Sequence, residues 1–239
     1  MPFHIEASSI PERVLLTGDP DRADVFASSL LRDPELLSRT RGFRVYKGYF
    51  DGVPVGIASH GIGGPSALIV LEELRMIGAR IFIRVGTAGS LESSLRVGDV
   101  VIVKGAGMTC GGGGLALYLP YGMCPTTSPD PLLTTALYDK ALELGLDPKL
   151  VLAFSSDSFY AEDADAYAKV LSSLGYKVIE MECGGLLALA NIRGLKGACA
   201  LVVSNEVGKT SSRPSPEALM PSLLNAARAA LRALTSVKP

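Results

Sequence analysis

Six apolar runs rich in β-branched residues constrain this chain most: "RVLLTG" (Arg13 to Gly18), "RIFIRVG" (Arg80 to Gly86), "DVVIVKGAG" (Asp99 to Gly107), "VLAFSSD" (Val151 to Asp157), "KVIEME" (Lys177 to Glu182) and "ACALVVSN" (Ala198 to Asn205). Continuous apolar runs of this kind belong to strands covered on both faces. Between them, apolar residues recur at helical spacing. Helices are predicted from about Arg22 to Leu31, over "PSALIVLEELRMIG" with Pro65 at its start and Gly78 closing it, and over "LLTTALYDKALELG", "ADAYAKVLSSLG" and "GLLALANIRG". A last helix is predicted from about Pro216. "FRVYKGYFDGVPVGIASHG" predicts a hairpin turning at Asp51-Gly52. With no internal repeat and no linker, the alternation predicts one α/β domain over residues 1–239. It should have three layers, a mixed and mostly parallel central sheet flanked by helices.

Composition closes off several classes. Hydrophobic residues make up 48% and charged ones 20%, which is globular and not disordered. The net charge of -1 comes with no dense basic cluster, so no nucleic-acid partner is expected. No apolar run approaches the ~20 residues a membrane span needs. The opening "MPFHIEASSIPERV" lacks the layout of a signal peptide, and a cytoplasmic protein is the expectation. Cysteines at 110, 124, 183 and 199 form no C-x-x-C pair, hence no zinc or redox signature. In an ordinary cytosol all four stay reduced. The alternative is a disulfide between Cys110 and Cys124, which bracket the glycine-rich "CGGGGLALYLPYGMC". The only two histidines, His4 and His60, lie far apart in sequence, which speaks against a zinc site or a Ser-His-Asp triad.

In open α/β sheets ligands gather at the carboxyl ends of strands. Here those ends read "GDPDR", "RVGTAGS", "SSDSFY", "EMECGG" and "SNE", unusually polar for so apolar a chain. Arg22 follows a tight Gly-Asp-Pro turn and could simply be a solvated first-turn residue. Arg84 lies inside a covered strand, where a charge needs a partner. Beside it, Gly86, Thr87, Ala88 and Gly89 offer amide groups and a hydroxyl, a fair cradle for phosphate or carboxylate. Neither "GDPDR" nor "HGIGGPS" matches a nucleotide-triphosphate or dinucleotide fingerprint.

Glu180 and Glu182 sit two apart in a strand-like run, which would put both carboxylates on one face. Helix-start stabilisation explains Glu182 in part, at roughly 0.3–1 kcal/mol, and leaves Glu180 unexplained. A metal would need further ligands, and a glycosidase pair normally comes from separate segments. An acceptor for sugar hydroxyls remains.

Together, "GDPDR", "RTRGF", "HGIGGPS", "IRVGTAGSL", "SSDSFY" and "VIEMEC" resemble the hexameric-type, uridine-phosphorylase-like nucleoside phosphorylases. The likeness spans nearly the whole chain, and the wording is nearest archaeal purine/methylthioadenosine phosphorylases. It implies a phosphate site of Gly18, Arg22, Arg84 and Thr87, with Arg41 lent by the neighbouring subunit of a dimer. His4 would reach across the same interface to the ribose 5′ side. Met181 and Glu182 would hold the ribose, Glu182 through its 2′- and 3′-hydroxyls. Phe159, Ser204 and Asn205 would meet the base, with Glu180 placed on that side. Asn205, Arg84 and Glu182 would carry the catalytic work. The family reaction is phosphorolysis of the N-glycosidic bond, with phosphate as co-substrate and no metal or organic cofactor, in a homo-oligomer expected to be a hexamer (a trimer of dimers).

One departure from the pattern matters. Many purine-specific members carry aspartate in an "SD" motif, as general acid, where this chain has Ser204-Asn205. An amide donates a hydrogen bond but transfers no proton at neutral pH. A preference for 6-oxopurines such as inosine and guanosine follows, with Glu206 as the alternative acid and methylthioadenosine as a further candidate. Uridine phosphorylases share "GIGGPS" and "GTAG", but usually insert a segment supplying glutamine and arginine to uracil. The stretch "YAEDADAYAKVLSSLGYKVIEME" contains neither residue, which argues against uridine. A nucleosidase needs no phosphate cluster, so Arg22, Arg41 and Arg84 speak against it; a non-catalytic nucleoside binder is the remaining rival.

Overall fold

Three helices in this chain start where a short polar side chain takes one of the first free amide groups. Asp19 accepts from the Asp21 amide, Asp130 from Leu133 and the Ser215 hydroxyl from Ala218, each followed at once by a proline suited to the first helical turn. The computed structural model describes residues 2–119, 123–160, 163–208 and 214–239. Residues 120–122 of the predicted Cys110–Cys124 loop, and the Ala161-Glu162 pair after "SSDSFY", lie outside the described residues.

In order, the elements are β1 (Arg13–Thr17), α1 (Pro20–Leu30), β2 (Arg32–Ser38), β3 (Val45–Phe50), β4 (Val53–Ser59), α2 (Gly64–Met76), β5 (Ile81–Ser90) and β6 (Val100–Met108). Then follow α3 (Pro131–Glu143), β7 (Lys149–Ser155), α4 (Ala164–Ser173), β8 (Val178–Glu180), α5 (Cys183–Arg193), β9 (Lys196–Glu206) and α6 (Pro216–Ser236). The hairpin turns as expected, with Asp51 and Gly52 at φ 49° and 81°. Capping by Asp19 starts α1 at Pro20 and not at Arg22.

The sheet order is β2-β3-β4-β1-β5-β8-β7-β6-β9, and β9 also pairs with β5. Among the described residues the pairings are mixed, five parallel and four antiparallel. Parallel pairing therefore holds only a bare majority. The second β5–β9 pairing closes the last five strands into a ring, a feature no strand-by-strand reading contains. One core cluster packs α1, α3 and α6 against one face, with Phe26, Ile83 and Leu231 fully buried. A second packs α2 and α5 against the other face, around Leu16, Leu71 and Phe82. The ring strands' faces turned away from α3 and α6 form a third, with Cys183 and Leu187 of α5. No described helix is long and apolar enough to cross a membrane.

Three local expectations are corrected. Residues 86–90 are not an open loop: β5 runs to Ser90 because β9 pairs with it throughout, Gly86 with Leu201 and Thr87 with Val202. β8 stops at Glu180, so Glu182 does not share a strand face with it and instead stands at the residue before α5, its side chain turned to Arg84 and Gly63. Cys110 and Cys124 are disulfide-bonded, while Cys183 and Cys199 are free and buried; four reduced thiols were expected.

Candidate active site

Arg84 enters the interior on the central strand β5, between Leu16 of β1 and Cys199 of β9. Phe82, two residues earlier, belongs to the α2/α5 core, so the Arg84 side chain leaves the sheet toward that layer. Its guanidinium lies across Gly86: a Cβ there would sit 2.6 Å from Nη1. β8 runs antiparallel to the end of β5, with Gly89 opposite Ile179 and Ser90 opposite Val178. The chain beyond Glu180 is thereby aimed back down β5, toward Arg84.

Both carboxylates meet that cation. Arg84 Nη2 donates to Glu182 Oε2, Nη1 stands 3.4 Å from Glu180 Oε2, and Nη1 reaches Cys183 Sγ at 3.6 Å. Glu182 Oε1 accepts from the Gly63 amide at 2.6 Å, which ties the carboxylate to the loop before α2. Burial works against the Arg84 charge, but Glu182, Cys183 and Glu180 outweigh it and hold its pKa above the ordinary value. Burial likewise pushes Glu182 upward; the Arg84 cation foremost, with the Gly63 amide, overcomes this and leaves the carboxyl below its usual range. The site holds a charged pair. Arg84 Nε is buried and unpartnered, a donor not yet used.

Glu180, which the resemblance implied on the base side, has both oxygens engaged by the protein. Oε1 accepts from the Ser155 hydroxyl; Oε2 accepts from the amides of Glu182 at 2.8 Å and Cys183 at 2.9 Å. Ser155 Oγ in turn accepts from Gly184 at 2.7 Å. Together, β7 and β8 satisfy the first amides of α5, where a carboxylate also meets the positive end of the helix dipole. Glu180 is a helix cap and a brace for Arg84.

The remaining predicted residues line the neighbouring strand ends. Gly18 follows β1 and packs against Gly61 and His60, so that a Cβ would lie 3.2 Å from the Gly61 carbonyl. Arg22 is in the first turn of α1, with Nε 3.5 Å from Asp19. Thr87 and Met181 are half-buried. The single Ser204 hydroxyl hydrogen has two acceptors in reach, Asn205 Oδ1 at 2.8 Å and the Ala88 carbonyl at 3.2 Å; given to the nearer Oδ1, it leaves the amide nitrogen as the donor of Asn205. Phe159 is exposed, edge-on to Tyr160. Arg41 is exposed in a short turn at φ 55°. His4 lies elsewhere, against α2, with Nδ1 2.8 Å from Glu73.

Sequence reasoning missed His60. Its ring is fully buried beside Gly18, neither nitrogen has a partner, and burial followed by the Arg84 charge pushes its pKa down to about 4. It is therefore a neutral imidazole at physiological pH. The only signal in the sequence was its place in "SHGIGGPS", next to the loop that reaches Glu182. Among the described residues no group of His, Cys, Asp or Glu is arranged to hold a metal ion.

Residues 12–237 match the family model described as "Phosphorylase superfamily". The chain is 35% identical over 210 residues to the DeoD-type purine nucleoside phosphorylase of Caldanaerobacter subterraneus subsp. tengcongensis, covering 87% of this chain and 89% of that protein. It is 32% identical over 239 residues to the guanosine phosphorylase of Halorubrum lacusprofundi, covering 98% and 97%. The crystal structure of uridine phosphorylase from Vibrio fischeri ES114 superposes with a TM-score of 0.87 at 27% identity, covering 98% of this chain and 95% of that one.

Proposed function

This chain belongs to the phosphorylase superfamily, and from that premise we propose that it cleaves the N-glycosidic bond of purine ribonucleosides and deoxyribonucleosides with inorganic phosphate, releasing the free base and (deoxy)ribose 1-phosphate. The observation that carries the proposal is the buried Arg84–Glu182 ion pair, which sets a cation suited to an anion beside a carboxylate suited to sugar hydroxyls. In this reading, phosphate binds to Gly18, Arg22, Arg84 and Thr87, with Arg41 supplied by a neighbouring subunit. Glu182 accepts the ribose hydroxyls, Met181 packs beneath the sugar, and His4 of a neighbouring subunit meets the 5′ side. Phosphate oxygen bonds to C1′ as the C1′–N bond breaks, the electron pair leaves with the base, and the proton of hydrogen phosphate ends on the base. Most of the rate comes from positioning and from the anionic Glu182 beside a sugar gaining positive charge. No cofactor takes part, and the working form is a cytoplasmic hexamer.

Phe159 packs on the base, and Ser204 with Asn205 reads its edge. The Ser204 contact with Asn205 Oδ1 supports an amide that donates to the departing purine, the basis for preferring 6-oxopurines over 6-aminopurines, with methylthioadenosine kept as a further candidate substrate. Similarity to the Vibrio fischeri enzyme keeps uridine as the second reading. The test is a panel of inosine, guanosine, adenosine, methylthioadenosine and uridine, run with the natural enzyme and with Asn205→Asp. Inosine and guanosine should lead, and Asn205→Asp should raise adenosine relative to inosine. A lead for uridine, or no shift on substitution, contradicts the reading.

A further inference from the structure

Glu73 is the one buried acid on α2 that faces the N-terminal segment, and five hydrogen bonds converge on its carboxylate. Oε1 accepts from the Phe3 amide at 3.0 Å, the His4 amide at 3.0 Å and His4 Nδ1 at 2.8 Å. Oε2 accepts from the His4 and Ile5 amides, both at 2.8 Å. Ile5 beyond is buried in the α2/α5 core, so the segment is pinned on both sides of His4. Burial raises the pKa of Glu73, but the His4 ring and the three amides more than offset this and keep it below the usual carboxylate range.

An ionised carboxylate has no hydrogen to give, so the hydrogen between Glu73 and His4 must belong to Nδ1. Neutral His4 is thereby fixed as the Nδ1–H tautomer, and Nε2 presents a bare lone pair on a ring that keeps 22% of its side-chain surface exposed. We propose that Glu73 is a positioning residue that sets which 5′-substituents the enzyme accepts: by fixing Nε2 as an acceptor, it favours a 5′-hydroxyl, which can donate, over 5′-ethers and thioethers, which cannot. The proposal rests on the reading of His4 as the contact to the ribose 5′ side of a neighbouring site.

Glu73→Gln tests it. An amide cannot reproduce this carboxylate: either way it turns, its nitrogen meets backbone N–H groups, and without the negative charge the hold on the Nδ1 hydrogen is weakened, so that the Nε2–H tautomer becomes populated. At pH 8, the ratio of kcat/KM for inosine to that for 5′-O-methylinosine should fall about fivefold, the worth of one neutral hydrogen bond. A merely structural role would lower both substrates alike. In a His4→Ala background, adding Glu73→Gln should leave the ratio unchanged. The wild-type tautomer is directly measurable by long-range nitrogen–proton NMR of the imidazole rings, since the chain has only two histidines. An Nε2–H tautomer for wild-type His4 overturns the proposal, and so does a ratio that Glu73→Gln does not move while His4→Ala does. If His4→Ala itself leaves the ratio at the wild-type value, the ribose contact assigned to His4 falls, and the proposal falls with it.

Discussion

Gly86 has no side chain because the Arg84 guanidinium lies across it. Gly86→Ala would set a methyl 2.6 Å from Nη1 and push the guanidinium off Glu182. The expected result is a fall in kcat/KM of roughly a hundredfold, the scale of a misplacement of about 1 Å in a catalytic group, with the overall fold kept. The two glutamates should separate in the same kind of measurement. Glu182→Gln should remove most activity and also cost about 3 kcal/mol of stability, because the amide still accepts from Gly63 but no longer balances the buried Arg84 cation. Glu180→Gln should lower unfolding free energy by about 3 kcal/mol, since it unbalances a buried cation and disturbs the cap of α5. Denaturant midpoints and kcat/KM on both variants check this; equal losses in kcat/KM would contradict the division of roles. The sequence makes the pair conspicuous, yet its explanation needs Arg84, which stands 96 and 98 positions earlier than Glu180 and Glu182.

At the scale of elements, apolar pattern and turn chemistry made most of the strands and helices legible, and long-range pairing decided the rest. β2 was missed because "RDPELLS" is almost wholly exposed and contains Pro34; only pairing with β3 makes it a strand. β5 was read short because "GTAGS" looks like a loop, and β9 holds it extended. β8 was read long, since nothing local announces that Glu180 will turn back to cap the next helix. The glycine-rich loop meets the start of α2 so closely that a Cβ on Gly64 would lie 2.5 Å from Gly113 Cα, backbone against backbone. Gly64→Ala should therefore cost about 1–3 kcal/mol and loosen residues 111–115. Faster amide exchange in that loop is the expected observation; unchanged exchange would show that the contact is not needed.

For the molecule as a whole, the sequence conveyed the layered α/β plan but not the ring that β9 closes, because closure depends on one strand having two partners. The disulfide was legible only as an alternative, since spacing fixes no pairing. Stability should carry the signature of His60. The unfolded chain binds that proton near the ordinary 6.5, the fold only near 4, so between those values the unfolded state holds more protons and stability falls as pH falls. From pH 7 to pH 5 the loss should be about 2 kcal/mol, ahead of the acid range where Glu72, Glu73, Glu92 and Glu182 titrate. His60→Asn should flatten that slope, and an unchanged slope would contradict the neutral buried imidazole. Phosphate as the nucleophile is the step on which the proposed reaction turns. The most direct measurement is base release from inosine with and without inorganic phosphate, with the sugar product identified. The predicted result is turnover only with phosphate and one ribose 1-phosphate per hypoxanthine; phosphate-independent release of free ribose would contradict it.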